Sequence, residues 1–217
     1  MKAVLIGATG ATGKELLQVL LRDESITEVI ALVRKPLSLH HAKLQVQVIN
    51  FDNPRQWQDL VRGDMAFSCL GTTLKAAGSK EAQYKVDYEY QLAFARAASL
   101  NAVPAFVLVS AGMANPKSLV FYSRMKGELE QAILALSFES LTLLRPGLLS
   151  RPGTDRAGEK ISESVLHFFN KLGLLKKLEP LPVHKLAMLM LHYGRQKHRG
   201  VQVIESKQIL SKVKLLS

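Results

Sequence analysis

Met1-Lys2-Ala3-Val4-Leu5-Ile6-Gly7-Ala8-Thr9-Gly10-Ala11-Thr12-Gly13-Lys14-Glu15-Leu16-Leu17 is the stretch on which the fold turns. Lys2–Ile6 is an apolar run that ends in glycines, and it reads as a buried strand. From Gly13 to Arg22, Leu16, Leu17, Leu20 and Leu21 recur on one helical face. Between strand and helix the glycines are spaced G-x-x-G-x-x-G, in the strand–turn–helix context that a dinucleotide fingerprint requires. Such glycines permit a tight turn and a close backbone approach to a pyrophosphate. The free N–H groups and dipole at the helix start then hold the anion. Gly7, Thr9, Gly10, Ala11, Thr12 and Gly13 are therefore expected to bind a dinucleotide cofactor. A P-loop is excluded, because no glycine lies at the required offset before Gly13-Lys14 and Glu15 stands where a Ser or Thr would touch Mg²⁺.

Outward from this turn, short β-branched runs alternate with helical patterns. Strands are expected at Glu28–Val33, Leu44–Ile49, Asp64–Leu70, Pro104–Ser110, Ser140–Leu144 and Gly200–Ile204. Helices are expected at Asn53–Val61, Lys80–Leu100, Phe121–Leu136, Ser162–Leu175, Pro182–Tyr193 and Lys207–Leu215. This alternation predicts an α/β protein with a Rossmann-type doubly wound parallel sheet. Residues 1–217 read as a single domain. Residues 1–149 form the nucleotide-binding core, and residues 150–217 form a small C-terminal cap that opens on an exposed loop over Ser150–Lys160.

The composition narrows the function classes. The chain has 217 residues with 47% apolar and 22% charged, which excludes wholesale disorder. A single cysteine, Cys69, excludes a disulfide framework. The six histidines show no pairing at metal-ligand spacing, so no metal site is expected. No apolar run is long enough to span a membrane, and the N-terminal apolar stretch is too short for a signal peptide. A cytoplasmic protein without membrane association is expected on that basis. Lys and Arg number 29 against 18 Asp and Glu, a net charge of +11. That balance either favours anionic partners, such as a phosphorylated cofactor, nucleic acid, an acidic lipid surface or an acidic protein partner, or is simply a well-solvated basic surface. The basic residues form no nucleic-acid motif, so nucleic-acid binding is not expected.

About twenty residues past the last glycine, an NAD-type site places an acid on the ribose 2′-OH. Here the chain reads Leu32-Val33-Arg34-Lys35-Pro36, with two cations and no carboxylate. An Arg there suits a 2′-phosphate by charge and by its fork of donors. Arg34 and Lys35 therefore point to NADPH as cofactor. The catalytic candidates follow the fifth strand. Ser110 ends it, and Tyr122-Ser123-Arg124-Met125-Lys126 comes twelve residues later. Tyr122 and Lys126 are four apart and share a helical face. A Tyr hydroxyl can exchange a proton with the substrate if its pKa falls, and a neighbouring ammonium favours that fall. A Ser hydroxyl can hold the substrate oxygen in line.

Together with the glycine turn, three further blocks carry a family likeness: Ser68-Cys69-Leu70-Gly71-Thr72-Thr73, Val109-Ser110-Ala111-Gly112, and Tyr122 through Lys126-Gly127-Glu128-Leu129-Glu130. The chain resembles the short-chain dehydrogenase/reductase superfamily in its atypical, single-domain NAD(P)-binding branch. Within that branch it is similar to the Tat-interacting-protein-like oxidoreductases. The resemblance covers at least Met1 to Leu149. It implies a Rossmann fold, NADPH, and Ser110, Tyr122 and Lys126 as a Ser–Tyr–Lys triad, with Lys126 also on the nicotinamide ribose. No Asn-type fourth member is named: Asn101 and Asn115 are available without a matching motif.

Other residues carry two readings each. Cys69, Leu70, Gly71 and Thr72 follow a strand and either approach the nicotinamide side of the cofactor or form a plain strand-to-loop turn. Asp52 either lies near the adenine, as is frequent in this superfamily, or starts an Asp-Asn-Pro turn. Pro146 either stands beside the nicotinamide or turns the chain with Gly147. Asp87, on the long Ala-rich helix, is assigned no role. The expected function is transfer of a hydride between NADPH and a small carbonyl or alcohol substrate. The rival is an NADPH-binding regulatory or scaffold protein with little or no turnover.

Overall fold

In the computed structural model, residues 1–150, 180–196 and 198–215 are described. Seven strands form one sheet: β1 (Lys2–Ile6), β2 (Glu28–Val33), β3 (Leu44–Val48), β4 (Met65–Ser68), β5 (Ala105–Val109), β6 (Ser140–Arg145) and β9 (Gly200–Glu205). Every pairing is parallel, in the order β3-β2-β1-β4-β5-β6-β9. The order reverses at β1, and that switch point opens a crevice at the carboxyl ends of β1 and β4.

Burial on both faces explains why these strands are apolar runs rather than alternations. Along β1, Ala3 and Leu5 face one core while Val4 and Ile6 face the other. The first core is filled by α1 (Ala11–Arg22), through Leu16, Leu17, Leu20 and Leu21, and by α6 (Val183–Arg195), through Leu186, Leu189, Met190 and Tyr193. The second is filled by α4 (Tyr90–Leu100) and α5 (Phe121–Leu134), with Phe94, Ala95, Leu129 and Ile133 packed around Phe106. β3 lies at the sheet edge and is only partly covered, which suits its alternating sequence.

All seven expected strands are present, with ends shifted by at most two residues. The region Asn53–Val61 differs from the expected helix. It forms two 3₁₀ turns, Pro54–Gln56 and Gln58–Leu60. Trp57 separates them because its buried indole donates to the Asn50 carbonyl at 3.0 Å. Lys80–Leu100 follows one path, but its register changes. α3 (Lys80–Tyr84) passes through a π-helical turn, Lys85–Glu89, into α4. A short helix, α2 (Leu74–Ala77), was not expected; Thr73 caps it and Gly78 ends it at φ 87°.

The described part of the C-terminal third belongs to the body of the fold. α6 packs on α1, β4 and β5, and β9 adds the seventh strand before α7 (Ser206–Leu215). Arg145 of β6 ties this edge together, donating to Glu130 of α5 at 3.0 Å and to Glu205 of β9 at 2.7 Å. A small parallel pair joins β7 (Leu149–Ser150) to β8 (Leu181–Pro182). The expected loop over 151–160 and the expected helix Ser162–Leu175 lie outside the described residues.

Gly194 shows how closely α6 sits. A Cβ there would stand 2.6 Å from the ring of Phe67, which is fully buried in β4. Gly194→Ala should therefore destabilise the protein by about 1–3 kcal/mol through overpacking. Denaturant unfolding measures this, and an unchanged midpoint would show that α6 is not seated on the sheet as described.

Candidate functional site

Helix α1 begins almost against the end of β1. A Cβ on Gly13 would lie 2.0 Å from the Gly7 carbonyl oxygen. Gly7 itself adopts φ 83°, and a Cβ there would lie 2.5 Å from the Cys69 carbonyl carbon and 2.7 Å from the Leu70 nitrogen. Any side chain at either position would push the helix off the strand or β1 off the end of β4. Gly10 donates to the Gly7 carbonyl at 2.9 Å and closes the turn. As N-cap of α1, Gly10 supplies no side-chain cap, and the first helical turn contains no acid. Thr9 and Gly10 are exposed, Ala11 is half-buried and Thr12 buried. The first N–H groups of a 12-residue helix thus point from a cradle free of competing carboxylates, the arrangement that suits a pyrophosphate.

Arg34 and Lys35 directly follow β2, exposed, two and three residues beyond the Ile6–Leu32 strand pair. They stand on the same carboxyl edge as the glycine turn. Asp52 is exposed and already engaged: it accepts from Tyr90 at 2.8 Å and pairs with Lys85 Nζ at 2.7 Å. These bonds from Lys85 and Tyr90 hold its carboxyl below the usual carboxylate range. Asp52 therefore fastens the loop after β3 to the helix beginning at Lys80. A shallow, open depression of about 630 Å³ lies against Leu37, Leu39, Val46 and Val48 at the β3 edge, and none of the candidate cofactor or catalytic residues lines it.

The end of β4 leads towards Asp87. Cys69 is packed against Met190, Sγ to Sδ 3.9 Å, and burial pushes its thiol far up, so it is a poor nucleophile. Gly71 is exposed next to Asp87: a Cβ on it would be 3.6 Å from Asp87 Oδ1. The Thr72 N–H donates to Asp87 Oδ2 at 2.9 Å, and Gln83 Nε2 donates to the Thr72 carbonyl at 3.2 Å.

Ser110 follows β5. Its N–H donates to the Leu144 carbonyl at 2.8 Å, while its buried Oγ has no hydrogen-bond partner among the described residues. The loop after it is pinned in two places. The Gly112 N–H donates to the Pro146 carbonyl at 3.0 Å, which places Pro146 beside the β5 loop. The Asn115 N–H donates to the Ser123 carbonyl at 2.9 Å. Gly127 makes the second contact feasible, because a Cβ there would lie 2.2 Å from the Pro116 nitrogen. The Lys-Gly-Glu block of the sequence thus contains a packing requirement: α5, which carries Tyr122 and Lys126, must touch the Ser110 loop.

Lys126 is buried, with Nζ 6.0 Å from the centre of the Tyr122 ring. Nζ is also 3.0 Å from Asp87 Oδ1, and each side chain of that pair is no more than 2% exposed. Asp87 is the residue whose place in the site spacing alone did not reveal. It sits in the π turn, whose extra residue rotates the following helix by about 100° relative to an uninterrupted one. Gln91 supports it, donating to the Asp87 carbonyl and accepting from Ser68, each at 2.8 Å. The expected lowering of Tyr122 by its ammonium neighbour does not prevail. Burial raises the phenol, Lys126 lowers it, and Asp87 raises it again, with the net above the usual tyrosine value.

Comparisons with known proteins bear on the family and the fold. A family model described as NAD(P)H-binding matches residues 7–164. The chain belongs to that NAD(P)H-binding family. It is 35% identical to Protein FMP52, mitochondrial, of Eremothecium gossypii, over 99% of this chain and 98% of that one. It is 37% identical to Protein fmp52, mitochondrial, of Aspergillus fumigatus, over 76% of this chain and 72% of that one. Among solved structures, MoeE5 in complex with UDP-glucose and NAD shares the fold at a TM-score of 0.70 and 16% identity, covering 100% of this chain and 82% of that one. These findings give the chain its NAD(P)H-binding family and a Rossmann-type fold. The expectation of a cytoplasmic location is corrected by the relatives, which carry mitochondrial in their names. The absence of a long apolar run at the N-terminus was no guide to compartment.

The glycine turn yields a ligand-free test. Gly13→Ala should cost at least about 2 kcal/mol of stability, because backbone meets backbone. Gly10→Ala, whose Cβ would be 3.3 Å from the Gly7 oxygen, should cost about 1 kcal/mol or less. Equal losses by thermal or denaturant unfolding would contradict the turn described.

Proposed function

We propose that this NAD(P)H-binding protein is an NADPH-dependent oxidoreductase that transfers a hydride between the cofactor and a small carbonyl or alcohol. The observation that supports it best is the orphaned, buried Ser110 Oγ at the carboxyl end of β5, on the same sheet edge as a glycine turn in which neither Gly7 nor Gly13 has room for a Cβ. A buried hydroxyl without a partner leaves hydrogen-bonding capacity for a ligand oxygen. The residues present fit a dinucleotide. Gly7, Thr9, Gly10, Ala11, Thr12 and Gly13 would hold the pyrophosphate at the α1 N-terminus. Arg34 and Lys35 would pair with a ribose 2′-phosphate, and Asp52, fastened to Lys85 and Tyr90, would border the adenine side. Cys69, Leu70, Gly71, Thr72 and Pro146 would border the nicotinamide side.

When bound, the nicotinamide supplies or accepts the hydride. Ser110 Oγ would hydrogen-bond the substrate oxygen and hold it in line. Tyr122 would exchange the proton at that oxygen, and Lys126 would steady the charge on the tyrosine.

Fluorescence titration with NADPH and, separately, NADH tests the cofactor assignment. NADPH should bind at least about tenfold more tightly, ~1.4 kcal/mol. Arg34→Ala should weaken NADPH much more than NADH, and an equal loss for both cofactors would overturn the role of Arg34. Tyr122→Phe should bind NADPH normally while losing at least about 100-fold in turnover on a carbonyl panel. Wild-type turnover by that variant would remove Tyr122 from the chemistry.

A further inference from the structure

Asp87 stands out because a carboxylate faces the lysine that should activate the tyrosine. An ammonium favours a neighbouring phenolate, and a carboxylate at 3.0 Å from that ammonium cancels much of its field. Both groups are buried, so the cancellation is not screened by water. The pair is also built in rather than incidental. The π turn aims Asp87 inward, the Thr72 N–H fixes its second oxygen at 2.9 Å, and Gln91 braces its carbonyl at 2.8 Å.

Among the described residues, the charged groups that face this point come from two elements. Asp87 approaches from the π turn, and Lys126 and Glu130 lie on α5. Glu130 is itself occupied by Arg145 of β6, at 3.0 and 3.2 Å. Asp87 is thus the carboxylate in direct contact with Lys126.

We propose that Asp87 is a positioning residue that acts through Lys126 to keep Tyr122 a proton-bearing phenol, so that the site is built to reduce an aldehyde or ketone rather than to oxidise an alcohol. The inference rests on the oxidoreductase reading above, and it selects the carbonyl as substrate class. In the reductive direction the carbonyl carbon accepts the hydride, with two electrons, and the C=O π bond is lost. The carbonyl oxygen takes the Tyr122 proton, which breaks the phenol O–H bond and forms the alcohol O–H. Tyr122 is left as a phenolate and recovers its proton from water. Alcohol oxidation would need the phenolate at the start, the form that Asp87 disfavours. Burial of Tyr122 acts in the same sense as Asp87.

Ultraviolet titration of phenolate absorbance tests this on the free protein without any substrate. Subtracting the Tyr122→Phe curve isolates Tyr122 from the other four tyrosines. The wild-type midpoint should lie above about 10, the ordinary tyrosine value. Asp87→Asn removes the negative charge and keeps the shape, so the midpoint should fall by about one unit, a tenfold gain in phenolate. Asp87→Glu retains the charge and should restore a midpoint near the wild type, which a merely structural role would not do. If Asp87→Asn does not fold, Asp87→Ser, smaller and also neutral, takes its place. A midpoint unchanged or raised in the neutral variant overturns the proposal. NADPH binding is measured on the same samples. Its absence from the wild type would sink the oxidoreductase reading while the tyrosine titration still reports on Asp87.

Discussion

Helix α1 starts where the Gly7 carbonyl oxygen would be 2.0 Å from any Cβ on Gly13, and this contact governs the geometry of the whole carboxyl edge. It aims the uncapped N–H groups of α1 along the crevice beside β1. It also lets the end of β4 approach, since Gly7 meets the Cys69–Leu70 backbone on its other side. A side chain at either glycine would separate three elements at once. The glycine turn and the path of the chain towards Thr72 are therefore one construction.

From that point the site is continuous. The β4 loop reaches Asp87 through the Thr72 N–H, Asp87 reaches Lys126, and Lys126 lies beside the Tyr122 ring. The second close approach, Gly127 on Pro116, seats α5 against the loop that contains Ser110. Two close approaches that exclude a Cβ thus position the glycine turn and the helix that carries Tyr122 and Lys126. The buried ion pair between Asp87 and Lys126 joins them. Breaking it from one side would strand a charge in the core, which is far more costly than losing a surface pair.

The C-terminal third has a different relation to the site. Its described helices and strand complete the hydrophobic layers: α6 fills the face that α1 leaves open, and β9 extends the sheet beside β6. Arg145, between Glu130 and Glu205, couples this edge to the helix that bears Tyr122 and Lys126. Stability of the core and placement of α5 are consequently linked.

Strand positions and helix faces were legible in the sequence because they depend on local periodicity, whereas the order of the strands in the sheet came from the tertiary structure. Runs such as Lys2–Ile6 and Pro104–Ser110 suit only a sheet covered on both sides, and Leu16, Leu17, Leu20 and Leu21 mark a single helical face. The glycine turn and the Tyr122–Lys126 pair were legible for the same reason, since their spacing is fixed within one element. Asp87 was visible as a residue but not as a partner. Only the π turn brings it to Lys126, and the sequence Lys85-Val86-Asp87-Tyr88-Glu89 continues an ordinary helical pattern. The two 3₁₀ turns around Trp57 were decided by a hydrogen bond to Asn50, seven residues away. The compartment was misjudged, because the apolar content of an N-terminus does not report it. Sequence alone determined the periodic elements and the place of the glycine turn. Tertiary structure decided which buried charges meet, because contact between helices depends on register and close approach rather than on composition.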